Sequence, residues 1–199
     1  GYEDAMAHLR PGLTLCNATG VHDASTAELA VGLAIASRRG FAEFMKDQND
    51  GVWNHRRFPA LSDSKVGIVG YGSIGKEIAK KLSVFDVEIT AFTQSGRDGS
   101  LKVEELDAHL PKLDIVILIL PLTDSSRHMF DAARLSKMKD GALLINMARG
   151  PVVVTDALVA ELQSKRLFAA LDVTDPEPLP AGHPLWKAPN LILVPHVGG

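Results

Sequence analysis

The feature that most constrains the fold is a glycine-rich turn, Gly70-Tyr71-Gly72-Ser73-Ile74-Gly75, between an apolar run and a helical pattern. The apolar run at 65–69 predicts a buried strand, and the apolar spacing at 74–84 predicts a helix. In such a unit Gly70 permits the tight turn, Gly72 lets the backbone approach a pyrophosphate, and Gly75 lets the helix pack on the strand. The turn therefore predicts a dinucleotide-binding domain, and a purely structural turn is the alternative.

Short apolar runs alternate with helical patterns through the rest of the chain. Runs without polar alternation are typical of strands buried on both faces. The connection 174–189 carries five prolines and is predicted to be mostly loop. The pattern predicts an α/β fold, a doubly wound parallel sheet of the Rossmann type. The predicted strands are 66–69, 87–92, 114–120, 142–146, 168–172 and 191–194, and the predicted helices are 74–84, 103–110, 132–138 and 155–165.

The segment before the sheet predicts a helix followed by an irregular arm. Ser25 and Glu28 have the spacing of a capping box, which places a helix start at 23–28. The helical pattern continues to about Lys46, and the polar and aromatic mixture at 47–64 predicts an arm or linker.

Composition narrows the classes of function. The net charge of -3, with both signs interspersed, gives no basic surface for nucleic acid. The longest apolar run, 115–120, is too short to span a bilayer, and the histidines other than His196 show no metal-ligand spacing. Cys16 is the single cysteine, which excludes an intrachain disulfide and favours a reducing compartment, the cytoplasm. We therefore expect small molecules or protein chains as partners, and neither metal, nucleic acid nor membrane.

The loop after the second predicted strand bears on the identity of the dinucleotide. An NAD-specific site ends this strand in a carboxylate that binds the ribose hydroxyls. Here the strand ends in Thr93-Gln94-Ser95-Gly96-Arg97, and the first carboxylate is Asp98. Thr93, Ser95 and Arg97 offer hydroxyls and a bidentate cation to a 2′-phosphate, which an aspartate at position 93 would repel. The loop favours NADP, and a loop that accepts either cofactor is the alternative.

Polar residues also follow the other predicted strands, at the edge where ligands of parallel sheets bind. Arg149 follows the fourth strand, Glu177 lies beyond the fifth, and His196 follows the sixth. Arg149 would hold a substrate carboxylate or polarise a keto oxygen, and His196 would donate a proton as hydride arrives at carbon. Glu177 would fix the imidazole tautomer. Each residue alone has a structural explanation, but their shared edge favours carbonyl reduction.

These residues together resemble the D-isomer-specific 2-hydroxyacid dehydrogenases, which include D-3-phosphoglycerate dehydrogenase and glyoxylate/hydroxypyruvate reductases. The resemblance covers nearly the whole chain and rests on specific motifs. They are 16–20, 25–28, 69–75, 120–123, 146–153, 171–173, 176–179 and 195–199.

The resemblance implies an oxidoreductase that transfers hydride between NAD(P)H and a small 2-keto acid or D-2-hydroxy acid. It implies that Arg149 orients the substrate, that His196 is the acid/base and that Glu177 is its partner carboxylate. The cofactor contacts that it implies, besides the glycine turn, are Ser73 and Ile74 at the pyrophosphate, Pro121 and Thr123 along the cleft, Ala148, and Asp172 at the nicotinamide carboxamide.

The resemblance also implies a domain organisation. Residues 1–24 would be a remnant of a substrate domain, 25–64 a crossover helix and dimerisation arm, and 65–199 the Rossmann domain of a homodimer. Because family members begin with a substrate domain, we expect an isolated cofactor domain that turns over poorly by itself. A dinucleotide-sensing interaction protein is the alternative, since some transcriptional co-repressors resemble this family and keep the same three residues. The sequence does not identify the 2-hydroxy acid or the direction of the reaction.

Overall fold

Seven parallel strands form a single sheet in the computed structural model, which describes residues 8–10, 12–16 and 20–199. Their order is β3-β2-β1-β4-β5-β6-β7, so the predicted doubly wound sheet is confirmed. Within the expected domain remnant 1–24, residues 1–7, 11 and 17–19 lie outside the described residues. The strands are β1 (Lys65–Val69), β2 (Glu88–Thr93), β3 (Leu101–Lys102), β4 (Ile115–Leu118), β5 (Leu143–Asn146), β6 (Phe168–Leu171) and β7 (Leu191–Leu193).

Helices cover both faces of this sheet, which is why its central strands are apolar without alternation. Ile115 and Ile117 of β4 pack into the core on one face, while Val116 and Leu118 pack into the core on the other. The α-helices are α1 (Asp23–Arg38), α2 (Phe41–Asn49), α3 (Ser73–Leu82), α4 (Leu106–His109), α5 (Ala132–Leu135) and α6 (Thr155–Gln163).

Small residues let α1 lie close to the sheet and to α3. Ala27, Ala30 and Ala34 of α1 are fully buried, in one core with Ile78 and Leu82 of α3. The core on the other face of the sheet lies between the strands and the helices α4, α5 and α6. The glycine-rich turn therefore leads into α3, which packs between the sheet and the long helix α1.

The predicted helix start at 23–28 is confirmed, since α1 begins at Asp23, but the predicted continuation to Lys46 is wrong. Gly40 adopts a left-handed conformation, φ 65°, and the ring of Phe58 fills the space that a side chain there would need. The chain consequently leaves α1 after Arg38 and starts α2 at Phe41. The capping box is also wrong, because Ser25 lies inside the first turn and donates a hydrogen bond to the carbonyl of His22 at 3.1 Å.

Two further segments differ from the predictions. The predicted helix 103–110 is a 3₁₀ turn, Val103–Glu105, followed by the single turn α4. The short strand β3 was not predicted. It consists of two residues, both paired with β2, and a segment of two residues has no periodicity that the sequence could show. The prolines of 174–189 leave one 3₁₀ turn, Pro184–Lys187, in an otherwise irregular connection, as predicted.

Replacing Gly75 by Ala tests the packing at the start of α3. A Cβ atom at this position would overlap the carbonyl oxygen of Gly70. We expect Gly75→Ala to lower the free energy of unfolding by about 2 kcal/mol, measured by denaturant titration. The reason is that the Gly70 carbonyl cannot move away from the new methyl group without distorting the turn. Gly32→Ala is the matched control, since a Cβ at Gly32 in α1 meets no atom within 4 Å. It should be neutral or stabilising by up to about 1 kcal/mol, and equal stabilities of the two variants would contradict the packing argument.

Candidate active site

Two adjoining cavities lie at the carboxyl edge of the sheet, on either side of the glycine turn. The first, about 440 Å³, is lined by the start of α3 and by Arg149, Asp172 and His196. The second, about 640 Å³, is lined by the turn and by the loop after β2. Both include Gly72 and Pro121 in their walls, and the two adjoining cavities are together called the cleft.

The three glycines of the turn differ in what requires them. A Cβ at Gly70, which has φ 102°, would overlap the carbonyl of Ile119, and one at Gly75 would overlap that of Gly70. Packing within the protein therefore explains these two. A Cβ at Gly72 would meet no protein atom within 4 Å, and Gly72 faces the cleft. The space beside Gly72 thus fits a ligand that approaches the backbone closely.

The first turn of α3 supplies hydrogen-bond donors to that space. No side chain caps this helix at Gly72, and the first N–H groups of any helix have no partner within it. The amides of Ser73 and Ile74 lie in this turn, and both residues line the first cavity. Together with the helix dipole they form a site for an anion such as a pyrophosphate.

The loop after β2 forms the far wall of the second cavity, where Thr93, Gln94, Ser95 and Arg97 all lie. The Thr93 hydroxyl accepts a hydrogen bond from the Gly96 amide at 2.9 Å and lies 2.7 Å from the Ser100 hydroxyl. Ser100 in turn donates to the Arg97 carbonyl at 2.6 Å. Thr93 therefore closes the turn that presents Ser95 and Arg97 to the cavity.

Asp98, the first carboxylate of this loop, is paired with Lys76 of α3. Lys76 Nζ lies 2.7 Å from Asp98 Oδ2. The hydrogen bond and the charge of Lys76 hold the pKa of Asp98 below its ordinary value, and the same hydrogen bond raises the pKa of Lys76. Both groups stay charged near neutral pH, and the ammonium offsets the negative charge that Asp98 brings to the second cavity.

His196, which lines the first cavity, is in direct contact with Glu177. Glu177 Oε1 lies 2.5 Å from His196 Nδ1, and the two side chains are 39% and 40% exposed. Because an ionised carboxylate only accepts hydrogen bonds, the Nδ1 atom carries a proton and Nε2 is the ring nitrogen left for another partner. The pairing predicted from the sequence is present, although 19 residues separate the two groups.

Arg149 is placed at the same cavity by the turn that follows β5. Asn146, buried at the end of β5, accepts a hydrogen bond from the Ala148 amide and donates one to the Arg149 carbonyl, each at 3.0 Å. Arg149 Nη1 donates to the Ala148 carbonyl at 2.7 Å. The half-buried guanidinium therefore lies in the wall of the cavity that contains His196.

Asp172 lies deeper in the same cavity and is 4% exposed. Its two carboxylate oxygens accept hydrogen bonds from the Val197 amide at 2.7 Å and the Gly198 amide at 3.1 Å. The residue predicted to contact a nicotinamide carboxamide thus also anchors the loop that carries His196.

Sequence reasoning missed several residues of the cleft. His22, Asp23 and Thr26, at the start of α1, line the first cavity, and the motifs of the sequence assign none of them to the site. The packing of α1 against the sheet brings these residues to the cavity, and no local sequence pattern indicates this packing. The buried Asn146 had a signal, since a polar residue that ends an apolar strand needs hydrogen-bond partners.

Neither a metal centre nor a membrane-spanning helix is found in residues 8–10, 12–16 and 20–199. Within these ranges no group of three or more His, Cys, Asp or Glu side chains is arranged to hold a metal ion. No helix in the same ranges combines the length and the apolar character needed to cross a membrane.

Comparison with known proteins gives a consistent result. Residues 31–198 match the family model described as D-isomer specific 2-hydroxyacid dehydrogenase, NAD binding domain. The chain is similar to the glyoxylate reductase of Thermofilum pendens, with 40% identity over 199 residues, 94% of this chain and 59% of the relative.

Two solved structures are similar in fold and sequence. A D-isomer specific 2-hydroxyacid dehydrogenase from Xanthobacter autotrophicus Py2, in complex with NADPH and MES, has a TM-score of 0.83 at 31% identity over 90% of this chain and 59% of its own. An NAD-dependent formate dehydrogenase from Staphylococcus aureus, in complex with NAD, has a TM-score of 0.83 at 33% identity over 91% of this chain and 57% of its own. The chain therefore spans less than two thirds of the length of these relatives.

Replacing Gly72 by Ala tests whether the open space in the turn serves a ligand. We expect Gly72→Ala to weaken the binding of NADH and NADPH by at least about tenfold, because the new methyl group projects where the backbone must approach a pyrophosphate. The free energy of unfolding should change by less than about 0.5 kcal/mol, since the methyl group meets no protein atom. Isothermal titration calorimetry measures the dissociation constants, and unchanged values would show that Gly72 does not face the cofactor.

Proposed function

Because the chain belongs to the D-isomer-specific 2-hydroxyacid dehydrogenase family, we propose that it serves hydride transfer between NAD(P)H and a small 2-keto acid or D-2-hydroxy acid. One observation carries this proposal. The His196–Glu177 pair, with a contact of 2.5 Å, lies at the same cleft as Arg149 and the glycine turn. An acid, a cation and a dinucleotide site at one edge of the sheet are the groups that carbonyl reduction needs.

The proposed chemistry uses each side chain for one task. When bound, the reduced nicotinamide supplies the hydride that adds to the keto carbon. Arg149 binds the substrate carboxylate and polarises the keto oxygen. His196 gives its Nε2 proton to that oxygen, so that the carbonyl becomes a hydroxyl group, and Glu177 stabilises the imidazolium before transfer. The reverse direction returns the proton to neutral His196.

The dinucleotide is proposed to lie along the cleft on contacts from several loops. The amides of Ser73 and Ile74 would bind the pyrophosphate, as the open space beside Gly72 supports. Pro121 and Thr123 would line the adenosine side, and Ala148 and Asp172 the nicotinamide side, since these residues lie in the walls of the second and the first cavity.

A preference for NADP over NAD is part of the proposal. Position 93 carries a hydroxyl rather than a carboxylate, and that hydroxyl holds the turn that presents Ser95 and Arg97. The nearby carboxylate of Asp98 is offset by Lys76. The loop therefore offers a cation and a hydroxyl to a 2′-phosphate without an uncompensated negative charge.

We also propose that the protein is a homodimer in the cytoplasm. The dimer would form through the crossover helix and dimerisation arm at 25–64, which precede the Rossmann domain at 65–199. Large apolar side chains are exposed around α2 and the chain that follows it, and Trp53 is 97% exposed. An ion pair between Arg56 and Asp47 stabilises this segment. The rings of Phe44 and Phe58 also pack edge to face, with their centroids 5.3 Å apart. Exposed large apolar side chains that are close together in one segment are typical of a protein interface.

Steady-state kinetics of the full-length protein test the proposed activity. We expect glyoxylate, hydroxypyruvate or a related 2-keto acid to oxidise NADPH, and NADH at a lower kcat/KM. His196→Ala should lower kcat by about 10²–10⁴-fold, the usual contribution of a positioned acid. Its dissociation constant for NADPH should stay within about twofold, because the imidazole acts on the substrate.

His109→Ala is the control, since His109 packs on the ring of Phe92 and does not line the first cavity, which contains His196. A His196→Ala variant that keeps its rate would refute the acid/base assignment. If no keto acid oxidises either cofactor, the enzyme proposal fails and the dinucleotide-sensing alternative gains support.

A further inference from the structure

The loop that carries His196 is held from two sides by buried side chains, Asp172 of the proposed cofactor site and Thr26 of α1. On one side, Asp172 accepts hydrogen bonds from the amides of Val197 and Gly198. On the other, the Thr26 hydroxyl of α1 donates to the carbonyl oxygen of Gly198. Thr26 is 6% exposed and Asp172 is 4% exposed. The three peptide groups that follow His196 are therefore fixed by partners far apart in sequence.

The backbone of His196 needs such support. Its φ of 54° lies in the left-handed region, which a residue other than glycine adopts only when its surroundings over-determine it. The His196 amide donates to the Asp172 carbonyl at 2.8 Å, which fixes the start of the loop. The bonds at Val197 and Gly198 fix its continuation. Together they hold the conformation in which the imidazole reaches Glu177.

Little room is left at Gly198 for another arrangement. A Cβ atom there would come within 2.8 Å of Asp172 Oδ2 and 2.9 Å of Met147 Cε. The Gly198 carbonyl is approached by Thr26 and, at 3.3 Å, by the hydroxyl of Ser25. A hydroxyl has one proton to donate, and the His22 carbonyl, at 2.8 Å, competes for that of Thr26. Thr26 is buried whereas Ser25 is exposed, so the Thr26 hydroxyl is the link between α1 and the loop that is shielded from water.

We propose that Thr26 is a positioning residue for His196, whose hydroxyl ties the start of α1 to the Gly198 carbonyl and so holds the imidazole against Glu177. The effect on turnover rests on the proposed function, whereas the restraint on the loop does not need a substrate. Removing the hydroxyl leaves a buried carbonyl short of a donor, which frees the loop to open.

Three variants of the full-length protein test this proposal. Thr26→Val keeps the shape of the side chain but removes the donor, and Thr26→Ser restores a donor. Ser37→Ala is the matched control, because it removes one hydroxyl from the same helix and Ser37 Oγ has no hydrogen-bond partner among the described residues.

Two readouts are compared across the variants. Hydrogen–deuterium exchange of the peptide that contains residues 196–199 should be about tenfold faster in Thr26→Val than in the wild type, and kcat should fall by about tenfold with KM for NADPH within twofold. Thr26→Ser should return both values to within about threefold of the wild type, and Ser37→Ala should leave both unchanged.

Wild-type exchange in Thr26→Val would overturn the proposal. Faster exchange with an unchanged kcat would also overturn it, because the loop would then open without moving the acid/base. If the wild-type protein reduces no keto acid, the proposed function fails, while the exchange rates still decide whether Thr26 holds the loop.

Discussion

The close approach of backbone at Gly70 and Gly75 is the constraint on which the rest of the site depends. At Gly70 the turn lies against the carbonyl of Ile119 after β4, and at Gly75 helix α3 lies against the carbonyl of Gly70. No side chain fits at either position. The first turn of α3 is thereby held at the point where the order of the strands reverses, and its unpaired amides face the cleft.

The charged groups of the cleft also favour an extended anionic ligand. The amide end of α3, Arg149 on one side and Arg97 on the other give three positive regions along its length. Asp98 is engaged by Lys76, Glu177 by His196 and Asp172 by backbone amides, while the carboxylates of Asp23 and Glu104 also lie in the walls of the cleft. An extended ligand with several negative groups is the kind of molecule that such an arrangement attracts.

The sequence predicted the sheet and the edge at which its polar residues meet, because both depend on local patterns. Apolar runs give the strands, and parallel strands place their carboxyl ends together, so Arg149, Glu177 and His196 could be assigned to one site. The departures come from contacts between distant segments. Gly40 ends α1 where Phe58 packs on it, Ser25 is not a cap, and Thr26 reaches Gly198 across the fold.

A crystal structure of the full-length protein with NADPH tests the central claim most directly. We predict that the pyrophosphate lies on the amides of Ser73 and Ile74, beside Gly72. The 2′-phosphate should then lie near Ser95 and Arg97, and the nicotinamide in the cavity of Arg149 and His196. A dinucleotide bound outside this cleft, or bound with its adenosine end beside His196, would contradict the assignment of the site.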